Sequence, residues 1–264
     1  MPRTPLRLLA CLPLALALPL AAQTPPYKDP AQPLEARLAD LLSRMSLEEK
    51  VAQLQGYRTT DPKAFDEQGN FVGGADAPAL ANGAGSVWAW TGAPDRFARN
   101  ARERVLRLNS VQKYMLEKTR LGIPVFSFSE AVHGYMAAGA TSFPAAIALG
   151  STWDPALLER VFTAAAQEAS ARGVRQVLAP VLDLARDPRW GRFDECYGED
   201  PYLVSRMGMA AIYGLQGRDA RIGPEHVAVT LKHFAGHGQP EGGRNIAPVN
   251  YSEREFRENH LYPF

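Results

Sequence analysis

The chain has 264 residues, 46% of them hydrophobic and 22% charged, which is the balance of a folded chain able to bury a sizeable core and not that of a disordered one. Its 29 lysines and arginines against 28 aspartates and glutamates leave a formal net charge of +1, so no charge imbalance points to nucleic acid or to an anionic membrane surface. A neutral partner is the expectation.

In chain order, residues 1–22 open with Arg3 and Arg7, run apolar through Leu20 and end on Ala21 and Ala22 before Gln23. That three-part layout reads as a signal peptide cleaved near Ala22, with export to a periplasm or to the outside of the cell. Pro13 and Pro19 interrupt the apolar run, which is short for a membrane span, and would break a buried helix. Cys11 precedes most of the apolar run, which argues against a lipid anchor, and after cleavage only Cys196 remains, so no internal disulfide is expected. Residues 23–33, rich in proline and polar groups, read as a linker, and the folded domain is expected over residues 34–264.

Leu34, Leu38, Leu41, Leu42 and Met45 recur at helical spacing, and Ser46 with Glu49 three residues on predicts a capped second helix. Residues 59–85 show no period and read as loop, leading into a strand-like run at 85–90. From there helical stretches at 95–118, 155–171 and 201–215 alternate with apolar runs at 123–128, 176–182 and 227–231, and Ser252 with Glu255 opens a last helix. Strands alternating with helices predict a mostly parallel α/β sheet. On pattern alone, a barrel and an open doubly wound sheet both fit.

Three of the apolar runs end in ionisable groups. Ser129 is followed by Glu130 and His133, Leu182 by Asp183, Arg186, Asp187, Arg189 and Arg192, and Leu231 by Lys232 and His233. A single charge after a strand marks only the start of a solvated loop, but three such ends coincide with the place where parallel α/β proteins build their sites. Carboxylates, guanidinium, ammonium, imidazole and a tryptophan face together suit a sugar, whose hydroxyls both donate and accept hydrogen bonds. No phosphate-binding glycine loop occurs after a strand, so a nucleotide is not expected. His233 and His237 are four apart, yet Gly236 and Gly238 argue against the helix that would align them on zinc, and neither a metal nor a cofactor is expected. His133 reads as a hydrogen-bonded packing residue.

The blocks Leu121-Gly-Ile-Pro124, Glu130-Ala-Val-His-Gly134, Ser142-Phe-Pro-Ala145, Gly150-Ser-Thr-Trp-Asp154, Ala179-Pro-Val-Leu-Asp183, Asp187-Pro-Arg-Trp-Gly-Arg192, Tyr197-Gly-Glu-Asp-Pro201 and Lys232-His-Phe234 occur in the order in which family-3 glycoside hydrolases carry them. From about Leu34 to Phe264 the chain resembles the N-terminal domain of that family of β-glucosidases and β-xylosidases. The resemblance implies the N-terminal portion of a TIM-type (β/α) barrel, with the final strands and a following α/β sandwich domain lying outside this sequence. It also implies that Glu130, Arg192, Lys232 and His233 bind sugar hydroxyls of an oligosaccharide or β-glycoside.

The family cleaves with retention, using two carboxyl groups, and its nucleophile is an aspartate typically within Ser-Asp-Trp. No Ser-Asp-Trp occurs in this chain, so the resemblance places the nucleophile beyond Phe264 and implies an inactive, sugar-binding piece of a β-glucosidase. A different pairing among Glu130, Asp183 and Glu195 is the reading in which the chain would act by itself. Glu130 stands where many of the family's β-glucosidases carry aspartate, a departure that points toward β-xylosidase as the alternative activity, and a non-catalytic carbohydrate-binding role is the alternative of another class. Arg244 reads as a solvated loop charge.

Overall fold

The structure, a computed structural model, describes residues 24–58, 61–88 and 100–264. The expected signal peptide, residues 89–90 of the expected strand and residues 95–99 of the expected helix lie outside these. The chain divides into two units, Met1–Met45 and Ser46–Phe264. In the first, helix α1 (Leu34–Arg44) follows a 3-10 turn at Pro26–Lys28. Residues 24–33, read as linker, are tied to that helix: the Tyr27 amide donates to Asp40 and Arg37 Nε donates back to the Tyr27 carbonyl.

The second unit is a five-stranded sheet with helices. Its strands are β1 (Gly56–Tyr57), β2 (Ser86–Trp88), β3 (Phe126–Ser129), β4 (Gln176–Val177) and β5 (Ala228–Val229). All neighbours are parallel and the spatial order is β1-β2-β3-β4-β5. A doubly wound sheet reverses its order once, at the point where the crossovers change sides. In this sheet the order never reverses, so it is an arc of a (β/α) barrel, and the open alternative of the sequence reading is closed.

The register explains which face is which. Trp88 pairs with Phe128, and Phe128 with Gln176, which pairs with Ala228. These side chains share one face of the sheet, where Trp88 and Phe128 lie with ring centroids 5.3 Å apart. Val87, Ser127, Ser129 and Val177 point the other way and are buried on the side covered by helices.

Those helices are α2 (Leu47–Ala52), α3 (Ala101–Lys118), α4 (Ala146–Gly150), α5 (Pro155–Ala171) and α6 (Pro201–Gln216). The capping box at the start of α2 forms as its spacing predicts, with Ser46 Oγ accepting from the Glu49 amide and Glu49 returning a bond to the Ser46 amide. Glu49 also receives Arg120 from beyond α3, at 2.5 Å, which holds its carboxyl below the ordinary range. The last predicted helix, α7 (Glu253–Glu255), is capped by Ser252 and passes directly into a π turn at Phe256–His260. Strand β1 and helix α4 have no counterpart in the sequence pattern, and the strands are shorter than the apolar runs that carry them.

The main core lies between α5, α6 and the sheet. Leu158, Phe162, Ala165, Ala166 and Ala169 of α5 meet Val204, Met207, Ala211 and Leu215 of α6, with Val177 and Val227 beneath. Small residues let the helices approach closely. A Cβ on Gly214 would stand 2.5 Å from the Glu159 carbonyl oxygen and 2.8 Å from Phe162 Cβ, inside van der Waals contact. Alanine is favoured over glycine inside a helix by about 1 kcal/mol, but overpacking of this kind costs about 1–3 kcal/mol. Gly214→Ala is therefore expected to lower stability, seen as a lower Tm and urea midpoint. An unchanged or raised midpoint would show that the crossing relaxes freely.

Candidate active site

The strand ends come together because pairing resumes beyond the regular strands. Val181 bridges Lys232, the Leu182 amide donates to the Lys232 carbonyl at 2.7 Å and the Lys232 amide donates to Pro180. This second register sets Asp183 beside His233. The peptides Ala179–Pro180, Lys232–His233 and Phe234–Ala235 are cis.

A cavity of about 310 Å³ opens at this end of the sheet, lined by Glu130, Val132, His133, Met136, Arg192, Asp194, Glu195 and Lys232, a size that suits a small ligand. Lys232 Nζ donates to Glu130 Oε2 at 2.9 Å, across 102 residues of chain, and both side chains are largely buried, at 12% and 14% exposure. One of the three ammonium hydrogens and one carboxylate oxygen serve this bond, leaving donors and an acceptor for a ligand.

Arg192 is fixed on two sides. Its Nε and Nη2 donate to the two oxygens of Glu195 at 2.7 and 2.8 Å, and Nη2 also lies 2.9 Å from His233 Nε2. The Glu195 pairing raises the guanidinium pKa further. Burial alone would push the Glu195 carboxyl up, but its bonds to Arg192 and the nearby Lys232 outweigh burial and hold it below the ordinary carboxylate range. His233 is anchored from behind: its amide and its Nδ1 both reach Asp183 Oδ2, at 3.1 and 2.6 Å.

The structure thus brings Glu130, Arg192 and Lys232 to one cavity and His233, outside its lining, into contact with Arg192. His133 packs through a hydrogen bond, with Nδ1 3.0 Å from the Phe143 carbonyl oxygen, yet it also lines the cavity. His237 stands edge-on to Trp190 and to His233, each at 4.9 Å, and burial lowers its pKa. Trp190 Nε1 donates to Asn245. Among the described residues, no group of three or more His, Cys, Asp or Glu side chains is placed to hold a metal ion. Arg244 is exposed, in keeping with a solvated loop charge.

Sequence reasoning does not find Val132, Met136 and Asp194 as cavity residues, nor the pairing of Arg192 with Glu195. The spacing of three residues between the last two is its available signal. One cavity wall, the loop after β3, is held by the end of α5 and its C-cap residue. Glu168 accepts from the amide and hydroxyl of Thr141, and Arg172 donates to the carbonyls of Ala138 and Gly139.

Because the folded-state pKa of Glu195 is depressed, its ion pair stabilises the fold fully above the unfolded value near 4.5 and loses that contribution as pH falls through the lower folded value. Wild type is expected to exceed Glu195→Gln by about 1–2 kcal/mol in neutral buffer and to converge with it in strongly acidic buffer, measured by urea unfolding. A gap that stays constant on acidification would contradict the pairing.

The family model for the glycosyl hydrolase family 3 N-terminal domain matches residues 46–264. A β-xylosidase of Formosa agariphila is 45% identical over 152 residues, which cover 55% of this chain and 21% of the relative. Among solved structures, a β-glucosidase from Erythrobacter marinus is 37% identical with a TM-score of 0.74, covering 90% of this chain and 30% of its own. A β-glucosidase from Listeria innocua in complex with glucose is 34% identical with a TM-score of 0.71, over 86% of this chain and 30% of its own. The chain spans about a third of the length of the curated relatives it matches. Because the family match takes in well over half of its residues, the chain belongs to glycosyl hydrolase family 3, in the part that the family's N-terminal domain describes.

Proposed function

We propose that the protein of which this chain forms part removes terminal non-reducing β-D-glucosyl residues from oligosaccharides or glucosides, with retention of configuration, and that this chain holds the sugar. Glu130, Arg192, Lys232 and His233 are its substrate-binding residues. The observation that carries the reading is the pairing of Lys232 with Glu130 beside Arg192 in one cavity, a set of donors and acceptors matched to neighbouring hydroxyls. The glucose complex of the Listeria innocua relative supports the choice of ligand.

The carboxylates near the cavity suit binding better than bond cleavage. A retaining glycosidase needs a nucleophilic carboxylate and a second carboxyl that is protonated when it acts as acid. Glu195 is locked against Arg192 and held ionised, Glu130 is tied to Lys232, and Asp183 is buried behind His233. On this reading the nucleophile and the acid/base come from sequence beyond Phe264. Residues 1–22 act as a signal peptide that exports the protein to a periplasm or beyond the cell, and residues 34–264 are the barrel portion that receives the glycoside. No helix among the described residues is long and apolar enough to cross a membrane.

A β-xylosidase activity is the second reading, favoured by glutamate at position 130 and by the Formosa agariphila relative. Comparing aryl β-glucoside with aryl β-xyloside hydrolysis by the longer protein decides between the two. The 264-residue chain alone is expected to release nothing from either substrate, and turnover abolished by Glu130→Gln would make Glu130 a catalytic group and overturn its binding role. In the longer protein, Lys232→Met is expected to lower kcat/KM at least tenfold, since it removes a charged donor and leaves Glu130 without its partner. A value within twofold of wild type would remove Lys232 from the site.

A further inference from the structure

We infer that His133 is a further sugar-binding residue, its ring clamped so that Nε2 offers a lone pair to a ligand hydroxyl in the cavity. The inference rests on the sugar-binding reading above and adds to it a residue that the sequence assigns to packing only. It begins from two bonds to one neighbour. The His133 carbonyl accepts from the Phe143 amide at 2.9 Å, and His133 Nδ1 lies 3.0 Å from the Phe143 carbonyl oxygen. Main chain and side chain of His133 thus both close on the returning arm of the loop after β3.

A glycine lets the two arms meet. Gly134 has φ of 116°, where a side chain is disfavoured, and a Cβ there would run into the Thr141 carbonyl oxygen. Thr141 is held in turn by Glu168, which accepts from its amide and its hydroxyl. The Phe143 carbonyl is therefore a fixed point, and the imidazole that meets it has little freedom to turn.

This clamp sets the tautomer. A carbonyl oxygen can only accept, so Nδ1 must carry a proton. In the neutral ring Nε2 then bears the lone pair, and it points away from Phe143 on the other side of the ring. Among the described residues no protein group bonds to Nε2, and the atom is not sealed from solvent. The half-buried ring lines the cavity beside Glu130 and Lys232. Those two are partly engaged with each other, whereas His133 brings an acceptor that no neighbouring donor occupies. A hydroxyl that reaches it must give its hydrogen.

The test is the ring-nitrogen spectrum of the full chain labelled with 15N at histidine, in mildly alkaline buffer, with the His133 signals assigned through bonds from its own backbone amide. Wild type and His133→Asn are titrated with methyl β-D-glucoside and methyl β-D-xyloside. Asparagine can place its amide nitrogen where Nδ1 stands and keep the bond to Phe143, but it has nothing at the position of Nε2. Expected in wild type are a protonated Nδ1, an unprotonated Nε2, and upfield movement of the Nε2 signal as glycoside binds. The variant is expected to keep the wild-type Tm within a few degrees and to bind about three- to tenfold more weakly, the worth of one hydrogen bond. A proton on Nε2 of the unliganded chain, an Nε2 signal that stays put while glycoside binds, or wild-type affinity in the variant overturns the inference. If the variant does not fold, the wild-type titration still decides it. A wild-type chain that takes up neither glycoside overturns the sugar reading itself, and the inference falls with it.

Discussion

The parallel pairing of the segments that follow β4 and β5 is the constraint on which the site depends. Had Val181 and Lys232 met one residue out of register, the side chains of one segment would have turned to the opposite face. Asp183 would then lose His233, His233 would lose its fixed orientation, and Arg192 would lose one of its two anchors. The hydrogen bonds between Leu182 and Lys232 and between Lys232 and Pro180 are therefore main-chain contacts with a side-chain outcome. The core beneath them, where α5 and α6 close on each other through alanine and glycine, fixes the strands from the other side.

Charge within the site is arranged in pairs. Glu130 faces Lys232, Glu195 faces Arg192, and Asp183 faces the His233 ring. Each carboxylate taken from water is met by donors, which keeps the cost of burial low and holds long side chains in single rotamers before a ligand arrives. A neutral, hydroxyl-rich ligand is the kind that such a surface of paired donors and acceptors can solvate without being repelled.

Much of this is legible in the sequence. The boundaries of α5 follow from Asp154, Pro155 and the apolar period, and both Ser-x-x-Glu boxes form the caps that their spacing predicts. Glu130, Lys232 and Arg192 can be picked out because they follow strand-like runs. Strand β1 is hidden because two residues cannot show an alternation. The apolar runs overstate β4 and β5 because burial under loops selects the same residues as burial in a sheet. Pairs such as Asp183 with His233 are out of reach, since a contact across 50 residues depends on register, which composition does not carry. Barrel and doubly wound sheets share every local signal, and only the spatial order of the strands separates them.

The loop after β3 gives the cavity a mechanical character. Its backbone and its Thr141 hydroxyl are tied to Glu168 in the last turn of α5 and to Arg172 at its C-cap, and that helix is packed against α6. A wall anchored in this way cannot yield by hinging without first breaking two charge-assisted attachments. On the Met136 side, then, the wall is a braced surface whose shape is set by the helix behind it.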